Sequence, residues 1–105
     1  PAQMFLENKL QQVTLPTSLR DIGAHAFQKN AITSVEIPPN VTTIGMRAFS
    51  SNKLTSLELP ESVQEIGESA FSSNALTTVS MPKKLKTLGN NAFHYNQLRH
   101  IYVPI

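Results

Sequence analysis

A 22-residue unit recurs along the chain without insertion, opened each time by phenylalanine at positions 5, 27, 49, 71 and 93. A fixed period of this length specifies a solenoid, in which no unit buries its apolar face alone and neighbouring units must stack to make a core. Four full units span 5–26, 27–48, 49–70 and 71–92, and a partial fifth covers 93–105. Residues 1–105 are therefore read as one repeat domain. Because neither end carries an atypical polar coil, the segment reads as a piece of a longer array.

Each recurring column has a physical use. Leu10, Ile32, Leu54, Leu76 and Leu98 precede an alternating pair, Val13/Leu15, Val35/Ile37, Leu57/Leu59, Val79/Met81 and Ile101/Val103. Alternation at period two predicts a short half-buried strand. Proline follows each pair, at 16, 38, 60, 82 and 104, and ends the ladder because it has no amide donor.

Beyond the proline, Leu19, Val41, Val63 and Leu85 stand three residues before Ile22, Ile44, Ile66 and Leu88, a spacing that suits a turn-rich return wall. All four glycines, 23, 45, 67 and 89, follow those residues, where a positive φ is expected. Ala26, Ala48, Ala70 and Ala92 precede the phenylalanines, so a small residue beside a large one fills each layer within a short helical turn.

Asn8, Asn30, Asn52, Asn74 and Asn96 form the remaining column. An amide side chain carries both donor and acceptor, so this column is assigned to a ladder that satisfies turn backbone between coils. Its competing role, ligand binding, rarely needs the same residue in every layer.

These residues compose the pattern F-x-x-N-x-L-x-x-V-x-L-P-x-x-L-x-x-I-G-x-x-A, which resembles the BspA-like, treponemal-type leucine-rich repeat family over essentially the whole chain. The unit is one residue shorter than the family's commoner one and has asparagine where cysteine is often found. The resemblance implies a leucine-rich repeat solenoid of the α/β type, a right-handed coil. It would carry a parallel β-sheet on one face, with turns, short helical turns and irregular returns on the other. It also implies a recognition module of a bacterial surface or secreted protein, extracellular or on the cell surface, that adheres to a protein or glycan ligand such as a host surface or matrix protein. Related repeats occur in some protozoan proteins.

If Val13 and Leu15 point inward, the outward strand residues are Gln12 and Thr14, Ser34 and Glu36, Ser56 and Glu58, Thr78 and Ser80, and His100 and Tyr102. From Ser34 onward these are the candidate ligand-binding residues. Stacking at about 5 Å sets Glu36 beside Glu58, a pair that attracts a basic group or is simply solvated. Arg99, His100 and Tyr102 give the last strand anchor-type side chains that earlier strands lack.

Other chemistry is disfavoured. The net charge is only +2, and the basic cluster Lys83, Lys84 and Lys86 falls one period after Glu61, so Lys83 should neighbour Glu61 and nucleic acid is not expected. The three histidines, 25, 94 and 100, occupy different columns, which argues against a metal site. No phosphate loop, zincin spacing or nucleophile elbow is present, and an open sheet gives Glu36 and Glu58 no cleft in which to act as acid and base. Catalysis and cofactors are not expected. With no cysteine there are no disulfides. No apolar run reaches the length of about 18 residues that a membrane span needs, and Pro1–Leu6 does not look like a signal peptide.

Two further expectations concern the ends and the role. The last strand should leave an unpaired edge with Phe93, Leu98, Ile101 and Val103 uncovered, so self-association through that end is expected. The alternative functions are a structural spacer, or an accessory repeat domain within a larger protein, an enzyme included.

Overall fold

A computed structural model describes the backbone of residues 12–102 and the side chains of residues 12–99. Asn8, Val103 and the chain ends therefore lie outside the described residues, as does the predicted uncovering of Ile101 and Val103. Nine short strands follow one another: β1 (Gln12–Val13), β2 (Asp21–Ile22), β3 (Ser34–Val35), β4 (Thr43–Ile44), β5 (Ser56–Glu58), β6 (Glu65–Ile66), β7 (Thr78–Ser80), β8 (Thr87–Leu88) and β9 (His100–Tyr102). Odd-numbered strands lie on one wall and even-numbered strands on the other, and every pairing that forms is parallel.

The return wall corrects the expected fold class. No helical turn forms among the described residues; the returns are hydrogen-bonded turns and a second parallel sheet, β2-β4-β6-β8. Its register pairs Ile22 with Ile44, Ile44 with Ile66 and Ile66 with Leu88. Bonds between coils satisfy the backbone here, including Gly45 N to Ile22 O and Gly67 N to Ile44 O, both 2.8 Å. A helix would turn those amides back into its own coil and leave the stack without its cross-coil ties. Where strand meets return, the carbonyls of Pro16, Pro38 and Pro60 accept from Leu19, Val41 and Val63 at 3.1–3.2 Å, closing a tight turn.

A third ladder runs along the corner that follows each glycine. His25, Phe27 and Lys29 donate forward to the carbonyls of Met46, Ala48 and Ser50 at 2.8–2.9 Å, and the next coils repeat the pattern. Intervening amides close local turns, as in Ala48 N to Gly45 O and Ser50 N to Arg47 O, both 3.2 Å. The alternation needs left-handed residues, and they are His25, Arg47, Ser69 and Asn91, then Lys29, Ser51, Ser73 and Tyr95, with φ between 55° and 61°.

None of the glycines has a positive φ, contrary to the sequence-based expectation. They are required for space. A Cβ on Gly45, Gly67 or Gly89 would stand 2.6, 2.5 and 2.4 Å from the backbone nitrogen of Ala24, Met46 and Glu68 in the preceding coil. Only hydrogen lets two backbones approach that closely.

The core fills from all three sides. Ile32, Val41, Ile44, Ala48, Phe49, Leu54, Val63, Ala70, Phe71 and Leu76 are fully enclosed. Phe27, Phe49, Phe71 and Phe93 form a column of stacked rings with centroids 5.3, 5.4 and 5.6 Å apart. Phe93 at the end of that column is half-buried, and so is Leu98.

Asparagine knits the interior. Asn52 Nδ2 donates to Phe27 O and Phe49 O, both at 2.9 Å, and its Oδ1 accepts from Ile32 N at 3.1 Å. Asn74 and Asn96 repeat the arrangement one and two coils later. Among the described residues, no buried side-chain nitrogen or oxygen lacks a partner.

Candidate functional site

The strand wall offers its polar residues because inward and outward positions alternate along an extended chain. Ser34, Glu36, Ser56 and Glu58 are exposed, and Thr78 and Ser80 are half-buried. Pairing of β7 with β9 sets His100 in register with Thr78 and Tyr102 with Ser80.

This wall is not one sheet. β1 pairs with β3, β5 with β7 and β7 with β9, but β3 does not pair with β5. The Glu36 and Glu58 strands are therefore neighbours without a ladder between them, unlike the continuous sheet expected from stacking. Val35 is left half-buried while its column mates Leu57 and Val79 are enclosed.

Two shallow hollows occupy the region. One of about 410 Å³ lies over β1 and β3 and is bordered by Thr14, Ser34, Glu36 and Pro39. The other, about 460 Å³, lies over the break, between Ser34, Glu36 and Ile37 on one side and Ser56, Glu58 and Pro60 on the other. Both are lined by backbone-proximal polar groups and proline rings, with acidic side chains as their only charges.

The basic cluster behaves differently. Lys83 Nζ lies 3.5 Å from a carboxylate oxygen of Glu61, the cross-coil neighbour the period predicts, and both side chains are about two-thirds exposed. Such a pair removes much of the local positive field.

His25 and His94 have separate partners. His25 Nδ1 and Gln28 Oε1 are 2.6 Å apart, whereas the His94 ring leans on Tyr95 with centroids 4.0 Å apart. No group of three or more His, Asp or Glu side chains among the described residues is placed to hold a metal ion.

Two features escaped the sequence. The break in the strand wall has no residue signature, since Ser34/Ser56, Val35/Leu57 and Glu36/Glu58 are alike in character. Tyr95, 74% exposed, occupies a left-handed corner where other coils have Lys29, Ser51 and Ser73, and nothing in its sequence context marks that conformation.

The profile of the family described as "BspA type Leucine rich repeat region (6 copies)" matches residues 1–105. The chain belongs to that family. A crystal structure of a leucine-rich repeat protein from Bacteroides ovatus ATCC 8483 superimposes on this BspA-type chain with a TM-score of 0.78 over 99% of its length at 24% identity. At that identity the likeness is one of fold, and the BspA-type chain covers 28% of that protein. No curated protein matches it. Family and fold are those of non-catalytic repeat modules, a kind of scaffold consistent with protein binding.

Proposed function

We propose that this chain is a non-catalytic recognition module of a bacterial cell-surface or secreted protein, adhesive in type, which holds a protein ligand against its strand wall. The observation that carries the reading is the pair of adjoining hollows over β1, β3 and β5, which share Ser34, Val35 and Glu36. Surface location is supported by family membership.

The return wall and the glycine corner have their backbone committed to cross-coil bonds, so variation between coils is concentrated in outward side chains. On the strand wall these are short and polar, leaving room for a partner's larger anchors. A spacer would tolerate any residue there.

Adhesion of the parent protein to a panel of purified matrix proteins tests the proposal. Ser34→Tyr with Ser56→Tyr should abolish adhesion, while Thr43→Tyr with Thr87→Tyr on the return wall should leave it intact. Retention in both variants would assign the chain to a spacer role.

A further inference from the structure

We draw no further inference here: the strongest candidate, the surface patch at the corner after Phe93 where the exposed Tyr95 ring leans on His94, carries nothing because nothing in the structure shows what covers it.

Discussion

The side-chain oxygen of Asn52 accepts from the backbone amide of Ile32, 20 residues earlier, at 3.1 Å. Its nitrogen meanwhile bonds the carbonyls of Phe27 and Phe49 at 2.9 Å each, so one amide ties two coils at their most enclosed point. Backbone at a sharp corner cannot bond itself, and buried groups left unpaired are costly.

Asn52→Leu should therefore destabilise the fold by about 3 kcal/mol, since it orphans the Ile32 amide and removes donors from two carbonyls. Asn30→Leu is the companion variant one coil earlier. Urea unfolding followed by circular dichroism measures both, and an Asn52→Leu loss below about 1 kcal/mol would contradict this account.

Glycine and left-handed positions are separate columns and should respond oppositely to substitution. Gly67→Ala sets a methyl group 2.5 Å from Met46 N and should cost several kcal/mol or prevent folding. Ser73→Gly relieves a φ of 56° and should raise stability by up to about 1 kcal/mol. Thermal melts of the two variants, compared side by side, check the assignment.

Phe49 is enclosed between two other rings, and Phe49→Ala should cost about 3–5 kcal/mol through lost burial and the void left behind. Tyr95→Ala, at an exposed corner, should shift stability by no more than about 0.5 kcal/mol. Denaturant midpoints would separate the two, and equal effects would contradict the stacked column.

Removing the Lys83–Glu61 pair with Glu61→Gln should change stability by less than about 1 kcal/mol, because both groups remain well solvated. Raising the salt concentration should shrink even that difference. Melting curves at low and high salt provide the measurement.

The inward columns were legible because burial constrains them in every coil: Ile44 and Ile66, or Leu54 and Leu76, differ little across the array. The helical turn was misread because Gly-x-x-Ala-Phe also suits a helix end, whereas β4 and β6 are two residues long, too short for alternation to show. The φ assignment failed for a different reason. Glycine repeats at 45, 67 and 89 because a neighbouring backbone excludes a Cβ, while the left-handed corner accepts His25, Arg47, Ser69 and Asn91, side chains with nothing in common. Candidate residues on the strand wall could be named from alternation alone. The break between Val35 and Leu57 could not, since it follows from how whole coils settle against one another.

That β2, β4, β6 and β8 run unbroken while β3 and β5 stay unjoined makes bending stiffness anisotropic. Flexure that spreads the strand wall meets least resistance at this one joint, with the glycine corner as its pivot.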